Sequence, residues 1–397
     1  MRSSGGRFFG WVIGGTLPAA VAADWLTSAW DQNAAAVACS PASVVVEEIV
    51  GGWLLELLGL PPAASFGLVT GCQAAHTTAL AAARHRLLAE RGYDVEQGGL
   101  SGTPPIRLVT SRSRHESLMR SVRLLGLGAD CVEPVDTSDD GRVDIGALRR
   151  SLGSGGRPTV VVLQAGDLNT GAFDDFAEAI PAAKAVGAWV HVDGAFGLWG
   201  AASRRFRHLL KGVEAADSWA TDGHKWLNLP FDSGFVFVRD PAAHSAALTQ
   251  PTSYAVPVDG VRNQMDWNPE WSRRARGFPA YAALRQLGRD GVEGLVDRCC
   301  DAASSLVERL GWLPGVEVLA RPIVNQGLVR FLDAGGDHDR RTDAVIERVQ
   351  RDGRVWFGGS TWRGRRVMRV SVCSWMTGAA DVDAAVEAVA AAIAEVA

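Results

Sequence analysis

The chain of 397 residues alternates between stretches of helical periodicity and short, continuous apolar runs. Residues 40–58 begin with Ser40 and Pro41 and then repeat apolar side chains at helical spacing, which predicts a helix. Apolar runs rich in β-branched residues predict strands, and further helical stretches lie between them. The predicted strands are 106–110, 159–164, 188–193 and 234–238, and the helices are 73–91, 115–125, 144–152 and 174–186.

The predicted strands are apolar along most of their length, as expected of parallel strands that are covered on both faces. Strands separated by helices indicate right-handed βαβ units in an open sheet. After a polar loop at 250–270, the pattern changes to short strands alternating with helices. These elements are helices at 271–289, 292–311, 338–352 and 379–396, and strands at 315–320, 326–332 and 366–373. We therefore predict a short N-terminal segment (1–40), a large domain (41–285) and a small C-terminal α+β domain (286–397).

Composition narrows the class of protein. The chain is 47% hydrophobic and has a formal net charge of −4, which gives no reason to expect a nucleic acid or an anionic membrane as partner. Its six cysteines lack metal-binding spacing, so we expect neither a disulfide framework nor a metal site. The apolar run at 8–23 loosely resembles a secretory signal, but glycines and Pro18 interrupt it. A cytoplasmic protein is the favoured interpretation.

Candidate chemistry lies where the predicted strands end, because ligands of open α/β sheets bind at the carboxyl ends of the strands. Asp193 ends strand 188–193, Lys225 precedes strand 234–238, His115 follows strand 106–110, and Gly71 opens a helix. Each residue taken alone has an ordinary explanation as a cap, a surface charge or a turn. A dinucleotide-dependent oxidoreductase is one alternative, although no GxGxxG turn follows the first strand.

Two motifs, VHVDGAFGLWG (190–200) and DSWATDGHKWLN (217–228), resemble the pyridoxal-dependent decarboxylase family, which includes aromatic-amino-acid and glutamate decarboxylases. Stretches such as FGLVTGCQAAHTTALAAAR, SRHES, LQAGDLNTGAFDDF and MRVSVCSWMT agree with this family in the same order, over about residues 8–395. The resemblance implies the aspartate-aminotransferase fold: α/β, with a mostly parallel seven-stranded sheet in the large domain and a small C-terminal α+β domain.

The resemblance also implies roles for individual residues. Lys225 would carry pyridoxal 5′-phosphate (PLP) as a Schiff base, Asp193 would pair with its pyridine nitrogen, and His115 would stack on its ring and assist proton transfer. Family members are homodimers with the active site at the interface. Further cofactor contacts would come from Gly71, Cys72, Gln73, Thr170, Ala195 and His224, and from Gly359 and Ser360, which would reach the phosphate bound by the partner subunit.

Departures from the family pattern concern the substrate side of the site. Cys72-Gln73 stands where the family has Gly-Thr/Ser, His76 replaces an asparagine, and Asp167-Leu168 replaces two threonines. The mobile-loop tyrosine of aromatic-amino-acid decarboxylases corresponds to about Gln264, and Tyr254 is the nearest tyrosine.

The resemblance implies decarboxylation of an L-amino acid, with an aromatic or apolar side chain favoured and Tyr254 and Arg369 as candidate substrate contacts. The alternatives are decarboxylation-linked oxidative deamination, aminotransfer, C–C or C–X lyase chemistry, and a PLP-binding protein with a regulatory role. All of these share the same cofactor anchors, so the anchors do not decide among them.

Overall fold

A computed structural model describes residues 2–153, 155–253 and 261–396. In these ranges the helices and strands follow the predicted alternation. The helices are α1 (Pro18–Trp30), α2 (Pro41–Leu57), α3 (Cys72–Ala89), α4 (Val95–Gly98), α5 (Glu116–Leu124), α6 (Ile145–Leu152), α7 (Phe176–Lys184), α8 (Pro241–Ala246), α9 (Gly277–Gly311), α10 (His338–Asp352) and α11 (Ala379–Glu395). The strands are β1 (Ser65–Val69), β2 (Arg107–Ser111), β3 (Val132–Val135), β4 (Thr159–Gln164), β5 (Trp189–Asp193), β6 (Ser218–Asp222), β7 (Gly234–Val238), β8 (Val316–Ala320), β9 (Gln326–Phe331), β10 (Gly358–Trp362) and β11 (Arg365–Ser371).

Seven of the described strands form the large sheet, in the order β1-β7-β6-β5-β4-β2-β3. Strand β7 runs antiparallel to β1 and β6, and the remaining neighbours are parallel. A second, antiparallel sheet has the order β10-β11-β9-β8. This is the predicted mostly parallel sheet followed by a small α+β unit.

The large sheet is covered on both faces, which explains its continuous apolar strands. Val160 and Val162 pack with the alanine-rich face of α3, whereas Val161 and Leu163 on the same strand pack with α7 and α9 on the opposite side. Alternate residues of a strand point to opposite faces, so every position of β4 is buried.

Helix α9 connects the two sheets. It contains a kink at Gly288, whose φ of 62° interrupts the helical backbone and separates the two helices that the sequence predicts. The first of them starts at Gly277 rather than at 271, because Arg274 pairs with Asn33 in a β-bridge. The predicted domain boundary near residue 285 falls within α9. The described part of the chain contains no helix with the length and apolar character needed to cross a lipid bilayer.

Candidate active site

A cavity of about 380 Å³ lies where three neighbouring strands of the large sheet end. Gln164, Asp193 and Asp222 are the last residues of β4, β5 and β6, and all three line it. Parallel strands place their carboxyl ends at one edge of a sheet, so these polar side chains converge although they are far apart in sequence. The other lining residues are Trp11, Val12, Gly71, Cys72, Gln73, His115, Ser117, Gly166, Leu168, Ala195, Phe196, His224, Lys225 and Arg369.

Lys225 reaches this cavity from the turn that follows β6. Its Nζ lies 3.1 Å from Oδ2 of Asp222, and 20% of the side chain is exposed. Burial alone would lower the pKa of Lys225, but the carboxylates of Asp222 and Asp193 outweigh it and raise the pKa. The sequence holds three lysines; Lys184 pairs with Asp217 and Lys211 lines a different cavity. Lys225 is therefore the lysine that is available at this site.

Asp193 lies at the end of β5 with its carboxylate in the cavity wall. Its Oδ1 accepts a hydrogen bond from the backbone N–H of Ala195 at 3.1 Å, and its Oδ2 lies 3.4 Å from Nε2 of His76. Burial would raise the pKa of this carboxyl, but His76, Lys225 and His115 outweigh it and the pKa is lowered. Asp193 is thus a buried anion that faces the cavity.

The N-terminus of α3 forms another wall of the cavity. Gly71 is the N-cap residue, and a Cβ at this position would lie 3.0 Å from the ring of His224. Strand β7 approaches equally closely, since a Cβ on Gly234 would lie 2.5 Å from Cα of Gly71. The backbone N–H of Cys72 donates to Asp222 Oδ1 at 2.6 Å. An anion therefore already contacts the first turn of the helix, where N–H groups lack partners within the helix.

His224 extends this anion-binding turn. Its Nδ1 accepts a hydrogen bond from the Ser233 N–H at 3.2 Å, which places the ring proton on Nε2. That Nε2 lies 3.5 Å from Asp222 Oδ1. Burial lowers the pKa of His224 despite the neighbouring carboxylate, so the neutral ring donates one proton towards the cavity.

His115 and Arg369 also line the cavity, although they lie far apart in the sequence. His115 is the N-cap of α5, where its Nδ1 accepts from the Ser117 N–H at 3.1 Å, and burial lowers its pKa. Arg369 lies on β11, which brings the small sheet to the site. Burial lowers the pKa of Arg369 in spite of Asp167, and its Nε has no hydrogen-bond partner among the described residues.

Three of the predicted site residues that the structure describes do not line this cavity. Thr170 is buried in its own loop, where its hydroxyl donates to Asp167 Oδ1 at 3.1 Å. Gly359 and Ser360 lie on β10, and Ser360 lines a neighbouring cavity, where it donates to Asn169 Oδ1 at 2.8 Å. Tyr254 lies outside the described residues.

The sequence prediction omitted Asp222, which contacts both Lys225 and the first turn of α3. Asp222 ends β6 in the same way that Asp193 ends the neighbouring β5, but the run SWATD has mixed polarity and does not indicate a strand in the sequence. Trp11 was also omitted from the site, although it lines the cavity. No pattern in the N-terminal segment marks Trp11 as a cavity residue.

Comparison with known proteins identifies relatives that match most of the chain. A family model described as the pyridoxal-dependent decarboxylase conserved domain matches residues 4–332. L-2,4-Diaminobutyrate decarboxylase of Rhizobium meliloti (strain 1021) is 31% identical over 325 residues, which cover 80% of this chain and 63% of that protein. Aromatic-L-amino-acid decarboxylase of Bacillus atrophaeus is 27% identical over 82% of this chain and 67% of its own length. The chain thus spans somewhat under two thirds of the first of these relatives.

Solved structures show the same fold. The crystal structure of Oryza sativa TDC with PLP and tryptamine superposes with a TM-score of 0.93 at 22% identity, covering 99% of this chain and 84% of that one. The crystal structure of mouse CSAD gives a TM-score of 0.90 at 24% identity and covers 97% and 83% of the two chains.

Proposed function

Because this chain belongs to the pyridoxal-dependent decarboxylase family, we propose that it is a PLP-dependent carboxy-lyase that acts on an L-amino acid. The observation that carries the proposal is that Lys225 and Asp193, from separate strand ends, face one cavity. PLP supplies an electron sink for charge that develops at the substrate Cα. The cofactor needs a lysine, an anion for its ring nitrogen and a cradle for its phosphate, and the described residues offer each of them.

The proposed roles follow from these positions. Lys225 binds the cofactor covalently through Nζ and exchanges a proton at the substrate Cα. Asp193, held as an anion, keeps the pyridine nitrogen protonated. His115 and Ala195 both line the cavity, and they would cover the two faces of the cofactor ring.

The phosphate is proposed to bind at the N-terminus of α3. Gly71, Cys72 and Gln73 offer backbone N–H groups there, and His224 offers its Nε2 proton. Asp222 contacts this turn and carries the same sign of charge as the phosphate, so its carboxylate has to shift its hydrogen bonds when the cofactor binds. The hydroxyl of Thr170 already donates to Asp167. We therefore propose that the loop around Thr170, and not the hydroxyl itself, lies beside the ring hydroxyl of PLP.

Arg369 is proposed to bind the substrate carboxylate. It is a half-buried cation at the cavity whose Nε has no hydrogen-bond partner among the described residues, and a guanidinium matches a carboxylate in geometry. Trp11, Val12, Leu168 and Phe196 give the rest of the wall an apolar character. We therefore propose that the substrate carries an aromatic or apolar side chain; the relatives named above act on both diaminobutyrate and aromatic amino acids.

We also propose that the enzyme is a homodimer. Helices α1 and α2 both pack on the first half of α9, through Trp30 on Phe278 and Trp53 on Tyr281. Trp25, Trp30, Val45 and Ile49 on these helices are nevertheless exposed, and apolar surface of this kind commonly marks an interface. In a dimer, Gly359 and Ser360 would contact the partner's cofactor. The six cysteines are free thiols in the structure, which fits the cytoplasmic location that we propose.

Oxidative deamination after decarboxylation is a second candidate. Gln264, which corresponds to the mobile-loop tyrosine of the family, is fully buried and accepts a hydrogen bond from Arg262 at 3.1 Å. It does not line the cavity, so it does not protonate Cα. Whether the reaction stops at decarboxylation therefore depends on whether Tyr254 or His115 protonates Cα.

Product analysis with a panel of amino acids distinguishes these outcomes. The holoenzyme is incubated with each amino acid, and CO₂, amine, ammonia and peroxide are measured. Amine and CO₂ in equal amounts without ammonia support decarboxylation. Ammonia with peroxide and an aldehyde establishes the oxidative reaction instead, and a keto acid without CO₂ establishes aminotransfer.

A further inference from the structure

A row of buried polar groups lies behind Asp193. Strand β5 places Trp189, His191 and Asp193 at alternate positions, and hence on one face. Ser218 begins the neighbouring strand β6, and α3 packs on the same face and contributes His76. The side chains of His76, His191 and Ser218 are fully buried, so each of their polar atoms needs a partner inside the protein.

These groups are linked one to the next. Trp189 Nε1 lies 2.9 Å from Ser218 Oγ, which lies 2.9 Å from Nδ1 of His191. Nε2 of His191 lies 2.9 Å from Nδ1 of His76. Nε2 of His76 lies 3.4 Å from Oδ2 of Asp193, within ion-pair distance, and has no hydrogen-bond partner among the described residues. The row therefore connects the core to the carboxylate at the cavity.

The direction of the hydrogen bonds follows from the two ends of the row. An indole N–H can only donate, and an ionised carboxylate can only accept. Trp189 must therefore donate to Ser218, whose hydroxyl is then free to donate to Nδ1 of His191. His191 donates from Nε2 to His76, and His76 donates from Nε2 to Asp193. His191 is neutral in this arrangement, which fits the lowering of its pKa to about 3 by burial.

With both rings neutral, the opposite direction fails at the cavity end, and only a doubly protonated His76 would allow it. If His191 donated to Ser218, its Nε2 would have to accept a proton from Nδ1 of His76. The lone pair of His76 Nε2 would then face the carboxylate of Asp193, which is repulsive. A neutral row thus has one proton arrangement, with both histidines as Nε2–H tautomers.

We propose that Trp189, Ser218, His191 and His76 form an ordered donor chain, and that His76 is the positioning residue that holds Asp193 ionised and aimed at the pyridine nitrogen of PLP. This inference rests on the proposed pairing of Asp193 with that nitrogen. Every bond dipole in the chain points its positive end at Asp193, so His76 stabilises the anion as a neutral donor. The proton shared by carboxylate and pyridine then stays on the ring nitrogen.

The tautomers can be observed directly in the holoenzyme labelled with [¹⁵N]histidine and loaded with ¹⁵N-pyridine PLP. The chain predicts Nε2–H signals for His76 and His191 and a protonated pyridine nitrogen. Ser218→Ala removes the hydroxyl that donates to His191, so mixed tautomers are expected, and the pyridine nitrogen should lose its proton at lower pH. Nδ1–H tautomers in the unmodified enzyme would overturn the proposal.

Two substitutions at His76 separate positioning from packing. His76→Gln retains an acceptor towards His191 and a donor towards Asp193, whereas His76→Leu retains neither. His76→Leu is expected to release PLP on the order of tenfold faster, the size of one lost hydrogen bond to a charged group, and to deprotonate the pyridine nitrogen at lower pH. His76→Gln should restore most of both properties.

Ser65→Ala is a matched control, since Ser65 Oγ lies 2.8 Å from Nδ1 of the fully buried His244, away from the cavity. The loss of the Ser65 hydroxyl should lower the stability of the protein and leave the ¹⁵N titration unchanged. If Ser218→Ala and His76→Leu behave like Ser65→Ala, with an unchanged ¹⁵N titration, the row is merely structural and the proposal fails. Visible PLP absorbance that Lys225→Ala abolishes tests the proposed function separately, whatever His76 does.

Discussion

At the residue scale, the decisive feature is that Asp222 serves two partners. It pairs with Lys225 and accepts the N–H of Cys72, so the same carboxylate fixes the lysine and contacts the proposed phosphate turn. Its charge is one reason that the pKa of Lys225 is raised although burial acts against it. Only a neutral amine attacks an aldehyde, so this ion pair opposes cofactor loading at neutral pH.

Asp222→Asn should therefore lower the pKa of Lys225. The rate of PLP loading of the cofactor-free enzyme rises with pH as the amine deprotonates, and the substitution should move this profile to lower pH by about one unit or more. Loading is measured from the growth of visible absorbance. Asp217→Asn, which removes the carboxylate beside Lys184, is the control and should leave the profile in place. An unchanged profile in Asp222→Asn would show that the ion pair does not control Lys225.

Site residues can be predicted from sequence where they end a recognisable apolar strand, and other site residues cannot. Asp193 follows an obvious apolar run, whereas Asp222 ends the run SWATD, whose mixed polarity conceals a strand. Trp11 reaches the cavity by tertiary packing of a distant segment, which no local pattern records, whereas Arg369 was expected there as a substrate contact. The alternation of Trp189, His191 and Asp193 is visible in the sequence, but its link through His76 requires the packing of α3 on β5.

At the element scale, a buried ion pair fixes the relation between α2, β1 and the segment before α9. Arg273 contacts both carboxylate oxygens of Glu47, at 2.7 and 2.9 Å, and also donates to the backbone oxygens of Leu68 and Ala34. Both side chains have no exposed surface. Because α3 follows β1 directly, this pair also supports the turn at Gly71.

Glu47→Gln should destabilise the protein by about 3–5 kcal/mol, because it leaves a buried guanidinium without its counter-charge. Chemical denaturation followed by tryptophan fluorescence measures the change. Glu56→Gln removes the partner of Arg289 at the surface, where the side chains are 75% and 52% exposed, and should cost at most about 1 kcal/mol. Equal effects of the two substitutions would contradict the structural role of the buried pair.

Helix α2 illustrates the limit of periodicity. The sequence predicts an apolar stripe of Val45, Ile49, Trp53 and Leu57, yet Val45 and Ile49 are exposed. The core is reached instead by Val50 and Leu54 on a neighbouring face. Periodicity reports that a face is apolar and not what covers it. Strand β10, with the sequence GGSTW, was not predicted because it has no apolar alternation, and it is formed through its pairing with β11.

At the scale of the whole molecule, the exposed apolar residues of α1 and α2 provide a test of the proposed dimer. Trp30→Glu combined with Ile49→Glu places charges on this surface and is expected to produce monomers in sedimentation analysis, because buried unpaired charges are costly. Trp312→Glu alters a tryptophan that is 71% exposed at the end of α9 and should leave the assembly intact. Dissociation by Trp312→Glu alone, or by neither variant, would contradict the proposed interface.

The central claim is that Lys225 binds the cofactor. The most direct measurement is borohydride reduction of the holoenzyme followed by peptide mass spectrometry, which locates the pyridoxyl group on its lysine. With three lysines in the chain the assignment is simple. We predict that the adduct lies on Lys225 and is absent from the Lys225→Ala variant. An adduct on Lys184 or Lys211, or none after added PLP, would contradict the account.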